Sequence, residues 1–236
     1  MLEPVYRAVS KTAVRKDMWV QIPPAAPEPG PPLDVECVSE PADVSACFDS
    51  RFLGSEYAYL LGLFLGDGYL SVSPKRVWHL RIFLDKRYPG IVDSARRTLQ
   101  WMTCGPSALV SAPGCYVVQG YSKHWACVLP HVGAGPKHLR SIRLTSWQRW
   151  VVERNPEAFL RGLIHSDGCR VINRVKKGRY AYSRYHFTNA STDIRDLFAW
   201  ACGLVGVETR PNNARNMSVA RRASVAILDA FIGPKA

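Results

Sequence analysis

Two aspartates at matched places could bring metal-dependent chemistry to this chain. Asp67 and Asp167 stand 100 residues apart, and each ends the same phrase, Gly62-Leu-Phe-Leu-Gly-Asp67-Gly68 and Gly162-Leu-Ile-His-Ser-Asp167-Gly168. A carboxylate at a helix C-terminus is opposed by the helix dipole, by about 0.3–1 kcal/mol, so folding alone would not choose it. A bound cation reverses that sign. Two such acids side by side repel each other and call for a divalent ion between them. Mg2+ takes one or two carboxylates with phosphate oxygens and water, and it can activate water for phosphodiester hydrolysis. The plainer alternative is an Asp-Gly turn at each place, which is common in isolation; the duplication favours the metal.

The elements that would carry these acids repeat as well. Each acid closes an apolar stretch of helix length, 57–66 and 158–166, with small residues four apart, Gly62/Gly66 and Gly162/Ser166. Such spacing lets two helix backbones approach closely and predicts that the helices meet. After the first acid the patterning predicts strands at 69–73 and 78–84, a helix from Pro89 to about 102, a hairpin of 108–111 and 116–121, and a closing helix over 122–129. In 78–84, Trp78, Leu80, Ile82 and Leu84 alternate with His79, Arg81 and Phe83, the period of a half-buried strand. After the second acid come strands near 169–175 and 180–188, a helix over 192–205 capped by Ser191 or Thr192, strands near 207–210 and 216–221, and a helix over 222–232. Ile91 and Ile194 match at an offset of 103, which sets Arg81 opposite Arg184.

The domain reading is a leader over 1–50, a first half over 51–130, a linker over 131–150 and a second half over 151–236. The leader holds eight of the 17 prolines and is expected to be disordered or extended. Within it, Val20-Gln21-Ile22-Pro23 back-translates to a tRNA T-arm sequence, so the expectation is either a start codon placed too early or an ordinary tail.

Charge separates the same regions. The formal net charge is +12, yet residues 1–50 hold four basic and eight acidic residues, leaving 27 basic and 11 acidic for 51–236. So basic a body self-repels unless a polyanion is its partner. Seven scattered cysteines form no C-x-x-C pair, and the longest apolar run is far short of the roughly 20 residues of a membrane span. These point to a reduced, cytoplasmic, nucleoid-associated protein with no membrane partner. The strand bases Lys75, Arg76, Arg81, Arg170, Arg174, Lys176, Lys177, Arg179 and Arg184 are interleaved with Tyr180, Tyr182 and Tyr185 and are the candidate nucleic-acid contacts. His165 is expected at an interface, Trp147 and Trp150 in the core, and Cys169 simply packed.

The phrases Leu60-Leu-Gly-Leu-Phe-Leu-Gly-Asp-Gly68 and Leu160-Arg-Gly-Leu-Ile-His-Ser-Asp-Gly168 closely resemble the LAGLIDADG motif of homing endonucleases, and the element order after each extends the resemblance over roughly 55–233. The resemblance implies an α+β fold of two pseudo-two-fold-related α-β-β-α-β-β-α halves. Their motif helices pack centrally and their sheets form a saddle on double-stranded DNA. It implies a monomeric, site-specific endonuclease that leaves short 3′ overhangs and uses Mg2+ or another divalent cation. Asp67 and Asp167 would be its catalytic metal ligands, with the carbonyls of Gly66 and Ser166 as further ligands. One auxiliary base per half is also implied, for which Lys123 and Arg221 are the candidates. The same scaffold admits a non-cleaving DNA-binding regulator or an RNA-splicing maturase on structured intron RNA. Leu65 and His165 depart from the motif's inner acid, and Arg161 replaces a small residue, expected to point to its own half's surface.

Overall fold

A computed structural model describes residues 54–73, 75–130, 137–175, 179–233 and 235. The leader 1–50 and the strand candidates Lys176 and Lys177 lie outside the described residues. The first half runs α1 (Ser55–Asp67), β1 (Gly68–Val72), β2 (Trp78–Asp85), α2 (Pro89–Thr103), β3 (Ala108–Ala112), β4 (Cys115–Ser122) and α3 (Trp125–Val128). After a single-turn 3-10 helix, Lys137–Leu139, and α4 (Ser146–Arg154), the second half runs α5 (Pro156–Asp167), β5 (Gly168–Val175), β6 (Tyr180–Thr188), α6 (Thr192–Leu204), β7 (Arg210–Pro211), β8 (Asn216–Val219) and α7 (Arg222–Ile232). Each half has one antiparallel four-stranded sheet, ordered β1-β2-β4-β3 and β5-β6-β8-β7. The architecture is the expected α+β duplication.

Both motif helices are almost wholly buried and share one hydrophobic core with the helix-side faces of the sheets. The reason for the small residues is direct. A Cβ on Gly62 would stand 2.4 Å from the Phe159 carbonyl oxygen, and one on Gly162 2.3 Å from that of Tyr59. No side chain fits either gap. The glycine after each acid serves packing too. Gly68 has φ −84° and Gly168 φ −100°, values any residue adopts. Yet a Cβ at Gly68 would meet Phe64 Cα at 2.5 Å, and one at Gly168 would meet Ile164 Cα at 2.7 Å. The chain leaves each helix so closely against its last turn that only glycine can follow the acid.

Several local expectations need correction. The closing helix of the first half is only Trp125–Val128, because β4 stays paired with β2 as far as Ser122 and Pro130 follows soon after. β7 is the short pair Arg210–Pro211, and Val207 belongs to the core instead. Trp147 packs against Tyr57, ring centroids 5.2 Å apart, but Trp150 is 49% exposed with the Arg154 guanidinium 4.4 Å over its ring. α4 is fixed by a capping box in which Gln148 accepts from Thr145 N–H and Thr145 from Gln148 N–H. The amide of Gln148 also donates to Tyr57 Oη and to the Val128 carbonyl, tying the segment between the halves to α1 and α3 inside the core.

Candidate active site and nucleic-acid interface

The two acids arrive at the seam between the motif helices. A Cβ on Gly66 would lie 2.1 Å from Ser166 Oγ and 3.0 Å from Asp167 Oδ2, so the second acid rests against the last turn of the first helix. The Ser166 hydroxyl donates to the carbonyls of Gly162 and Leu163 on its own helix, which keeps it small in effect and turned inward. Asp167 Oδ2 accepts from Asn189 Nδ2 at 2.7 Å, and Asn189 Oδ1 accepts from Ser191 N–H. Asn189 sits in the short connection between β6 and α6, so the N-terminal cap of α6 and the orientation of the second acid are set by one side chain. Sequence reasoning passed over it, although an Asn two residues before a capping Ser was a readable signal of local hydrogen bonding.

A second missed residue is Lys137. Its ammonium donates to the carbonyls of Phe64 at 2.6 Å, Gly66 at 3.1 Å and Gly68 at 3.0 Å. Burial lowers its pKa to about 8, opposed by the negative charges of Asp167 and Asp67 and reinforced by nearby Arg140. In the second half, Lys235 donates to the carbonyl of Gly168 at 2.6 Å. Each motif terminus therefore has a lysine on the carbonyl that follows its acid.

Among the described residues no three His, Cys, Asp or Glu side chains cluster as a metal site. Any divalent ion would rest on Asp67, Asp167 and backbone carbonyls. That donor set is all oxygen and doubly negative, the chemistry Mg2+ and Ca2+ prefer. The Lys137 ammonium, held by three carbonyls beside both acids, shows that the place accepts a cation. The residues fit the metal.

His165 bridges the halves. Its Nε2 lies 3.3 Å from the Ile232 carbonyl, which can only accept, so Nε2 carries the proton and Nδ1 accepts from Tyr59 Oη at 2.9 Å. Burial pushes its pKa down to about 4, with Lys235 and Arg161 adding to the fall and the Ile232 bond opposing it. The ring is a neutral seam residue. Arg161, expected on its own half's surface, instead places its guanidinium 4.9 Å over the ring of Tyr59 on α1.

Strand pairing sorts the candidate DNA contacts, because cross-strand partners point to the same face. Measured from the motif glycines, Gly68 pairs with Ile82 and Gly168 with Phe187. The equivalent of Arg81 is therefore His186, and Arg184 lies one same-face step further along; the longer β5–β6 hairpin displaces the expected match. The solvent face of the first sheet carries His79 and Arg81, with Arg81 4.8 Å over the Tyr69 ring and His79 stacked on Tyr121. That of the second carries Tyr180, Tyr182, Arg184, His186 and, through Ser218, Arg210.

Two expected contacts and one of the interleaved tyrosines are elsewhere. Tyr185 is buried in the core and donates to Asp229 Oδ1. Arg170 is on the helix-side face with it and makes a two-pronged ion pair with Asp229 at 2.7 and 2.8 Å. Arg174 follows on that same face. Lys75, Arg76 and Arg179 are exposed at the hairpin ends. Of the auxiliary bases, Lys123 is exposed in the turn after β4, and Arg221 caps α7 in an exposed ion pair with Glu208.

No protein-family model and no curated protein matches the sequence. Among solved structures, I-DmoI in complex with DNA and calcium is similar over 77% of this chain and 91% of its own, with a TM-score of 0.51 and 14% identity. A variant of I-DmoI with its target DNA in 2 mM magnesium is similar over 78% of this chain and 99% of its own, again with a TM-score of 0.51 and 14% identity. The N-terminal LAGLIDADG domain of DUF199/WhiA covers 81% of this chain and 86% of its own, with a TM-score of 0.48 and 15% identity. With two motif helices packed at a glycine seam and a four-stranded sheet following each, the chain has the two-motif LAGLIDADG homing endonuclease fold.

Proposed function

We propose that the chain is a site-specific, divalent-metal-dependent endonuclease of double-stranded DNA in which Asp67 and Asp167 each serve one strand. One observation carries this reading: the seam sets Asp167 against Gly66, next to the acid of the other motif. Asp67, Asp167 and the Gly66 carbonyl would hold the ion, with the Ser166 carbonyl as a further ligand. When bound it would supply an activated water and charge neutralisation at the scissile phosphate. The chain's own contribution is positional. Asn189 orients Asp167, and the glycine contacts hold the two acids at constant separation. Arg81 and Arg184 lie on the solvent faces of the two sheets, where their positive charge would meet a polyanion laid across them. Similar structures were solved with DNA and with calcium or magnesium, which supports a duplex partner and a hard cation. Both motifs lie in one chain, so a monomer suffices.

The test is selection of a cognate site from a random duplex library, followed by cleavage with the purified chain. Cleavage should need Mg2+, stop with EDTA, and vanish in the Asp67→Asn, Asp167→Asn double variant. Full cutting by that variant would refute the assignment. A second reading, a non-cleaving DNA-binding regulator or an RNA-splicing maturase, is favoured by the Lys137 ammonium beside both acids. Metal-independent binding without cleavage, to duplex DNA or to structured intron RNA, is its signature.

A further inference from the structure

Lys137 comes from the segment between the halves, outside both repeats. All three of its N–H donors are engaged, by the carbonyls of Phe64, Gly66 and Gly68. Its segment is held in place beyond the turn, where Ile142 N–H donates to Asp193 Oδ2 at 2.6 Å. Lys235 serves the second motif, but through the Gly168 carbonyl, whereas Lys137 also takes the Gly66 carbonyl that a metal would use. Three backbone oxygens in contact with one positive charge, and two carboxylates whose negative charge acts on it, are the surroundings a hard cation receives.

We infer that Lys137 is a built-in cation that offsets half the charge of the two-acid site without metal and competes with the divalent ion for it. Entry of the ion then requires the 137–139 turn to withdraw its ammonium, so this turn gates the site. This rests on the metal-binding reading of Asp67 and Asp167 above.

The experiment is calorimetric titration of Ca2+ into the full chain and into Lys137→Gln, which retains an N–H donor for the carbonyls and removes the charge. Lys137→Gln should bind Ca2+ at least tenfold more tightly than the parent, and adding Asp167→Asn should cancel the gain. A second measurement needs no variant: saturating Ca2+ should raise acetylation of Lys137 in the parent chain several-fold, read by peptide mass spectrometry. Equal Ca2+ affinity in the two chains, or unchanged labelling at saturation, overturns the inference and leaves the metal site standing. Absence of Ca2+ binding in both chains, each melting cooperatively, overturns the inference and the metal site together.

Discussion

Gly62 and Gly162 face each other across the seam so closely that a Cβ on the first would stand 2.9 Å from the α-carbon of the second, and a Cβ on the second 3.0 Å from that of the first. Contact between main chains, rather than interlocking side chains, thus sets the distance between the two motif helices and so between the acids they end in. Close packing of this kind has no slack to absorb an added methyl group.

Gly62→Ala or Gly162→Ala should therefore destabilise the fold by about 3 kcal/mol or more, since the obstructing atoms are backbone and cannot rotate away. Gly203→Ala on α6 is the control: nothing lies within 4 Å of its added Cβ, and removing a helical glycine should gain roughly 0.5 kcal/mol. Urea unfolding followed by circular dichroism reads both.

His165 makes stability depend on pH. Its folded pKa of about 4 lies below the ordinary 6.5, so the unfolded chain binds the proton more readily between those values. Its contribution is fully present above pH 6.5 and is lost as pH falls toward 4, amounting to roughly 3 kcal/mol in all. In His165→Gln the fall in melting temperature between pH 7 and 4.5 should be shallower than in the parent; an identical pH profile would count against the neutral seam histidine.

Asn189→Ala should remove the hydrogen bond that orients Asp167 without touching Asp67. Loss of a hydrogen bond that orients a ligand commonly costs 10–100-fold in metal affinity or activity. The expected result is at least a tenfold rise in the Mg2+ needed for half-maximal cutting. End-labelled duplex cleaved across a Mg2+ titration measures this, and an unchanged Mg2+ requirement would contradict it.

The sheet faces divide the arginines into two classes. Arg81→Ala and Arg184→Ala should each flatten the salt dependence of DNA binding by about one unit of slope, as expected for one lost phosphate contact. Arg170→Ala should leave that slope unchanged, because its guanidinium is engaged by Asp229 on the helix side. Fluorescence anisotropy across a range of KCl concentrations separates the two.

The duplicated phrase made the acids and the helix seam readable, because a small-xxx-small face and a terminal acid each have a physical reason to recur, and the patterning after each phrase made the element order readable. The face of Arg170 was not readable: Gly-Cys-Arg-Val-Ile-Asn-Arg-Val lacks the apolar–polar alternation that orients β2. Nor was the register of Arg184, which depends on hairpin length and not on the α2–α6 match. Lys137 and Asn189 reach the site from connections with no repeated pattern, so only the folded chain brings them to the acids.

The seam also decides which partner must change shape. Main chains already in contact at Gly62 and Gly162 leave the motif helices no room to approach further, so the two sheets cannot close around what they hold by drawing those helices together. A long, stiff ligand laid across both sheets must do the bending itself. Sequences that bend easily would then be favoured even at steps no side chain touches, a preference written into the stiffness of the ligand and read by the rigidity of two glycines.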